Sequence, residues 1–387
     1  MPKLTICGGG NAAHVLIGLA GQAGWEVNVF APLADEANRL QAGGGITVRQ
    51  HDKIIRGQAR RISADPAEVI PGSEWVLLAL PAFAHDTILR AIAHFLEPSV
   101  IVGALPARGG FDLAAQSILA GRNLTLFGLQ TLPWACRITA YGQAVDILGV
   151  KDVVNLAARP PTLAPRLAKE LATLFSVPLE PVSSFLTLTL ANPGQLIHPG
   201  IIYGLCRGRE TTTFTKDDIP LFYQGLDLST AALLQAMSDE VQAITKALAD
   251  HLPDLDPTEV VPLPTWLRRA YPADIADSST LHRAFVTNRA YSGLRLPTRA
   301  VASERFAVDY TSRYLAEDVP YGLVVTRGLA ELVAVQTPTI DEVIDWAQAR
   351  LERCYLLDNR LSGPDLAETH APQVYGIYSL EQMAAFL

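Results

Sequence analysis

Leu4-Thr5-Ile6-Cys7-Gly8-Gly9-Gly10-Asn11-Ala12-Ala13-His14 decides the fold: an apolar run that reads as a strand passes through three glycines into an apolar helical pattern. The motif is G-x-G-x-x-A, and each small residue has a task. Gly8 permits the tight turn, Gly10 lets the backbone approach a pyrophosphate, and Ala13 lets the following helix pack closely on the strand. Phosphates would then sit on the N–H groups of the helix start, those of Asn11 and Ala12 among them, at the positive end of the helix dipole. A plain glycine turn needs no such strand and helix on either side.

Working outward, strand and helix signals alternate. Glu26 to Phe30 reads as a second strand, Trp75 to Leu80 (WVLLAL) as a buried parallel strand, Val100 to Leu105 and Leu124 to Leu129 as two more, and Ala144 to Val150 as the closing one. This is the α/β pattern of a Rossmann-type doubly wound parallel sheet. The texture changes around Arg159-Pro160-Pro161, and after Ser183-Ser184 long helical patterns dominate, such as Thr230 to His251 and Thr339 to Arg353. Two domains are therefore expected, a dinucleotide-binding domain over 1–182 and a mainly α-helical one over 183–387. Thr339-Ile340-Asp341-Glu342 has the spacing of a capping box and marks a helix start.

The chain has 387 residues, 49% of them hydrophobic, which suits two cores rather than one. A net charge of −8 and the absence of any Lys/Arg run argue against nucleic acid. Cys7, Cys136, Cys206 and Cys354 are far apart in sequence, with no CxxC and no His/Cys cluster at zinc spacing, so neither a disulfide framework nor a metal site is expected. No apolar run reaches ~18 residues and no signal-peptide pattern opens the chain, so a soluble cytoplasmic protein without membrane contact is expected.

Ligands of open α/β sheets bind beyond the carboxyl ends of the strands. Three segments there are chemically loaded: Pro81-Ala82-Phe83-Ala84-His85, Pro106 to Phe111 (PARGGF), and Thr131-Leu132-Pro133-Trp134-Ala135-Cys136-Arg137. The nicotinamide half of a dinucleotide should lie near them, with Pro81 and Phe83 as contacts. Strand two ends Phe30-Ala31-Pro32 without the usual acid for a ribose hydroxyl, which leaves Asp35, favouring NAD, and Arg39, able to accept a 2′-phosphate, to set cofactor choice.

Reducing C=O or C=N takes a hydride and a proton, and histidine is the usual donor near neutral pH. His198, in Asn192-Pro193-Gly194-Gln195-Leu196-Ile197-His198-Pro199 at the entry of the second domain, has the most suggestive context. From context alone it is either that donor or a buried structural side chain. The segment Arg313 to Gly322 (RYLAEDVPYG) offers an acid and a guanidinium, although Asp318 also suits a helix N-cap and Arg313 a surface ion pair.

GGGNAAH, LPAFAHD, TLPWACRI, LFYQG, NRAYSGL and RYLAEDVPYG occur in an order that resembles the octopine dehydrogenase family of opine dehydrogenases, over essentially the whole chain. The resemblance implies NADH-dependent reductive condensation of an amino acid with a 2-oxo acid, usually pyruvate, on a Rossmann domain followed by a helical one. It implies a catalytic pair, His198 and Asp318, and Arg313 as a contact to substrate or cofactor. Thr131 and Cys136 would line the active site, Trp266 would form an aromatic wall for the amine substrate, and Asn192 would lie in the amino-acid pocket. The stretch Asn192 to Gln195 departs from the family's molluscan members, so arginine is not implied as the amine. NADH is implied over NADPH, and a monomer or homodimer is expected. Two other readings fit the scaffold: a simple 2-oxo or 3-hydroxy acid dehydrogenase needing no amine, and a non-catalytic nucleotide-sensing protein.

Overall fold

A computed structural model describes residues 1–33, 35–107 and 109–387. The chain divides into two compact units, Met1–Leu188 and Thr189–Leu387. The division follows Leu188 rather than Val182 because Val182, Phe185 and Leu188 are all buried in the first unit's core.

The first unit is built on β1 (Lys3–Cys7), α1 (Asn11–Gln22), β2 (Glu26–Phe30), α2 (Glu36–Ala42), β3 (Ile46–Gln50), β4 (Lys53–Gly57), β5 (Arg61–Ser63), α3 (Pro66–Val69), β6 (Trp75–Leu78), α4 (His85–Ile92), β7 (Ile101–Ala104), α5 (Phe111–Ile118), β8 (Thr125–Leu129), β9 (Trp134–Ala140), β10 (Ala144–Val150), β11 (Val154–Arg159), α6 (Ala164–Phe175) and β12 (Leu179–Pro181). Eight strands form one sheet in the order β12-β11-β8-β7-β6-β1-β2-β5. The six from β8 to β5 are parallel, and β11 runs antiparallel to β8. Alternate side chains enter opposite cores: Trp75 and Leu77 pack with α1 and α6, Val76 and Leu78 with α4 and α5. Helices on both faces of a parallel sheet are the doubly wound arrangement that the alternating signals predict.

Ala144 to Val150 is a correction. It forms β10, which pairs antiparallel with β9 in a separate four-stranded sheet, β4-β3-β10-β9, and not the last parallel strand. Leu148 and Val150 are exposed there, so the segment is half-buried and its apolar residues do not mark a sheet interior.

After α7 (Phe185–Leu190), the second unit contains α8 (Gly194–Cys206), β13 (Thr213–Phe214), α9 (Leu228–Ala249), α10 (Leu263–Ala270), α11 (Leu281–Val286), β14 (Thr298–Ala302), β15 (Arg305–Val308), α12 (Arg313–Ala316), α13 (Val324–Leu332) and α14 (Pro338–Arg350). The helix at Thr339 exists, but its cap is not a capping box. Both carboxylate oxygens of Glu240, on α9, accept from the amides of Thr339 and Ile340 at 2.8 and 2.9 Å. Pro338 at the first helical turn suits this start because no amide hydrogen is needed there.

Candidate active site

The glycine-rich turn sits at the carboxyl end of β1, between β6 and β2. Gly8 has φ +114°, and a Cβ there would lie 2.7 Å from Leu80 Cδ2 and 3.0 Å from the Ala79 carbonyl, so only glycine fits. Around Gly10, by contrast, a Cβ would meet nothing within 4 Å. No side chain caps the start of α1 and no acid lies in its first turn, so its leading amides form an anion-binding end. Ala13 is fully buried beneath it.

Two residues of this turn have tasks that the motif does not announce. Asn11, expected as a cofactor contact, uses its side-chain oxygen to accept from the Ile138 amide at 2.8 Å. What it retains for a phosphate is its backbone N–H. Buried His14 bonds the Gly10 carbonyl through Nδ1 at 2.9 Å and accepts from the Gly142 amide at Nε2, also at 2.9 Å. Together they fasten the β9–β10 hairpin to the phosphate end of α1.

The acid that faces the turn is Glu36 and not Asp35. Asp35 is exposed at the start of α2 with no capping hydrogen bond from its side chain. A Cβ on Gly9 would stand 2.9 Å from the Glu36 carboxyl carbon and 2.6 Å from the Tyr141 hydroxyl. Burial pushes the Glu36 carboxyl up, while the Tyr141 hydroxyl and Arg39 pull it down. Arg39 lies over the Tyr141 ring, its Cζ 3.9 Å from the centroid. Pro81 directly precedes a short turn after β6, whose Phe83 is 59% exposed. Thr131 lies in the loop between β8 and β9, and Cys136 on β9, its thiol pushed up to about 11 by burial. Arg108, of the PARGGF segment, lies outside the described residues.

In the second unit, α8 carries His198 and the segment after α12 carries Asp318. Nδ1 of His198 is 2.7 Å from Asp318 Oδ2, and the Asp318 side chain is only 3% exposed. Asp318 does not cap a helix through its side chain. The chain instead makes a π-type turn, with the Leu323 amide bonded to the Asp318 carbonyl at 3.0 Å. That turn lies close against α8 because Gly322 has no side chain: a Cβ would be 2.6 Å from Gln195 Cβ. Gln195 is fully buried, donating to the Thr189 carbonyl and accepting from Thr326.

Sequence reasoning did not assign Tyr223 or Tyr314, although both lie in motifs of the resemblance. The Tyr223 hydroxyl is 3.2 Å from His198 Nε2, and Tyr314 stacks on the imidazole at 4.0 Å and 9°. Arg313 pairs through Nε with buried Glu317 at 2.6 Å, while its side chain is 64% exposed. Asn192 and Trp266 line the same small cavity, about 20 Å³, together with Leu196, Ser238 and Gln242. Asn192 also accepts from the Gly194 amide at 3.1 Å, starting α8, and Trp266 projects from α10 beside fully buried Leu267.

Residues 181–351 match the family model described as NAD/NADP octopine/nopaline dehydrogenase, alpha-helical domain. A tauropine dehydrogenase of Arabella iricolor is 34% identical, the match covering 99% of this chain and 100% of that protein. An octopine dehydrogenase of Mizuhopecten yessoensis is 36% identical, covering 98% of this chain and 97% of that one. Among solved structures, octopine dehydrogenase with NADH and L-arginine has a TM-score of 0.91 at 32% identity, covering 99% of this chain and 98% of that chain.

Proposed function

This chain belongs to the octopine dehydrogenase family, and from that premise we propose that His198, oriented by Asp318, is its general acid–base. Its activity is that of an NADH-dependent opine dehydrogenase: an amino acid and a 2-oxo acid condense with loss of water, and reduction yields a secondary amine. The observation that carries the assignment of His198 is its 2.7 Å contact with Asp318. A buried carboxylate at Nδ1 fixes the tautomer that leaves a lone pair on Nε2, the nitrogen that takes a proton.

The 2-oxo acid of this reading is pyruvate, as in a solved octopine dehydrogenase complex with NADH and pyruvate. The amino acid enters as an ammonium ion and must lose a proton before its nitrogen can attack the oxo carbon. His198 accepts that proton and returns one to the hydroxyl that leaves as water. Arg313 presents the open part of its guanidinium to a substrate carboxylate or to the cofactor. Thr131 and Cys136 of the first unit, and Asn192 and Trp266 of the second, are each assigned as substrate contacts, with Trp266 as the apolar wall for the amine.

The turn fits a dinucleotide, because the space beside Gly10 is open and the start of α1 is uncapped. Backbone of Gly8, Gly10, Asn11, Ala12 and Ala13 would hold the pyrophosphate, Glu36 a ribose hydroxyl, Arg39 and Tyr141 the adenosine end, and Pro81 and Phe83 the nicotinamide end. Bound there, NADH supplies the hydride. We place the chain in the cytoplasm as a monomer or homodimer with small-molecule partners alone. No helix among the described residues is long and apolar enough to cross a membrane.

The test is a matrix of amino acids against pyruvate, glyoxylate and oxaloacetate, followed by NADH absorbance and product mass. NADH consumption that requires both partners, with a secondary amine formed, is expected. Equal consumption by the oxo acid alone would assign a simple dehydrogenase instead.

A further inference from the structure

Every polar edge of the His198 imidazole already has a partner. Nδ1 faces Asp318 at 2.7 Å, Nε2 faces the Tyr223 hydroxyl at 3.2 Å, and Tyr314 covers one ring face. With Nδ1–H given to the carboxylate, Nε2 has a single in-plane lone pair, and it is the Tyr223 O–H that points to it.

Tyr223 is not easily displaced. It is 8% exposed, and its ring stacks on Tyr291 at 3.9 Å and 13°, meets Phe222 edge-on at 4.8 Å, and lies parallel to Phe285. Burial raises the phenol far above its ordinary range, so Tyr223 stays neutral and keeps a proton to give at every step.

We propose that Tyr223 is a proton relay between the substrate and His198. The inference rests on His198 being the acid–base group. In the condensation, the substrate ammonium gives a proton to the Tyr223 oxygen as the Tyr223 O–H gives its own to Nε2. The net change is one proton moved from ammonium to imidazole, with the phenol neutral before and after. In dehydration the movement reverses: Nε2–H returns to the Tyr223 oxygen, whose O–H protonates the departing hydroxyl, and water leaves. Rotation of the hydroxyl about its C–O bond, toward Nε2 or away from it, accommodates both charge states without moving a ring.

The experiment compares Tyr223→Phe with His198→Ala in single-turnover reactions with saturating NADH, pyruvate and amino acid. A proton inventory on the unmodified enzyme runs beside them, in mixtures of light and heavy water. Tyr223→Phe keeps the ring stack and removes only the hydroxyl. It should lower the single-turnover rate by roughly 10²-fold, at the lower end of what acid–base groups contribute, with NADH affinity and melting temperature unchanged. The inventory should curve, as two protons moving together require. A near-normal rate in Tyr223→Phe beside an inactive His198→Ala, or a linear inventory, overturns the relay and leaves His198 in place. A near-normal rate in His198→Ala removes the acid–base assignment itself. If Tyr223→Phe does not fold, the inventory alone decides.

Discussion

The amide of Gly142 donates to Nε2 of His14, 128 positions earlier in the chain, at 2.9 Å. Since an N–H occupies Nε2, the proton of the neutral ring must be on Nδ1, where it is donated to Gly10. Protonating Nε2 would set one N–H against another. Burial accordingly pulls the His14 pKa below its ordinary value.

A depressed histidine stabilises the fold where it is neutral in both states, above its unfolded pKa of about 6.5. That contribution is lost as pH falls from about 6.5 through the lower folded value, because the unfolded chain then binds the extra proton. Urea midpoints measured from pH 8 downward should decline below about pH 6.5, and His14→Gln should flatten that limb. An unchanged pH profile in the variant would show that His14 does not couple the turn to the hairpin.

Cofactor choice should follow Glu36. Its carboxylate beside Gly9 would repel a 2′-phosphate, and like charges so placed cost several kcal/mol. The ratio of kcat/KM for NADH over NADPH should therefore fall by about tenfold or more in Glu36→Ser, and stay unchanged in Asp35→Ser. The reverse pattern would return the role to Asp35.

Glu240 secures the start of α14 from another helix. Glu240→Gln replaces one accepting oxygen with an NH₂ that cannot accept from the Thr339 or Ile340 amide, at a cost of about 1 kcal/mol. A lower urea midpoint with unaltered kcat is expected, and an unchanged midpoint would show that water caps that end equally well.

Trp266→Ala should raise KM for the amino acid far more than KM for pyruvate or NADH, with melting temperature little changed, because the ring is half-buried while Leu263 and Leu267 carry the helix's core contacts. Early unfolding with a normal amine KM would make it a core residue.

The dinucleotide turn was legible because its chemistry is local: strand, glycines and helix lie within a few residues, and φ at Gly8 obeys that reading. Strands β6 and β7 were legible as unbroken apolar runs, and β8 as a run interrupted only by Thr125. Ala144 to Val150 misled because an apolar run identifies a strand and not its sheet, and pairing with β9 was decided by the short turn between them. Asp318 and His198 stand 120 positions apart and became a pair only through motif resemblance. Glu36 was passed over for its neighbour because helix phase, invisible in composition, turns one toward the turn and the other to solvent. Tyr223 meets His198 through tertiary packing alone, for which no local spacing is a signal.

The pairing of His198 with Asp318 is tested most directly by a double-variant cycle of His198→Ala and Asp318→Asn, read as kcat under saturating substrates. Residues acting as one unit lose activity non-additively. Each single variant should be severely slowed, His198→Ala by ~10²-fold or more, and the double variant should be scarcely slower than His198→Ala. Losses that multiply would contradict the dyad, and with it the assignment of His198 as a carboxylate-oriented acid–base.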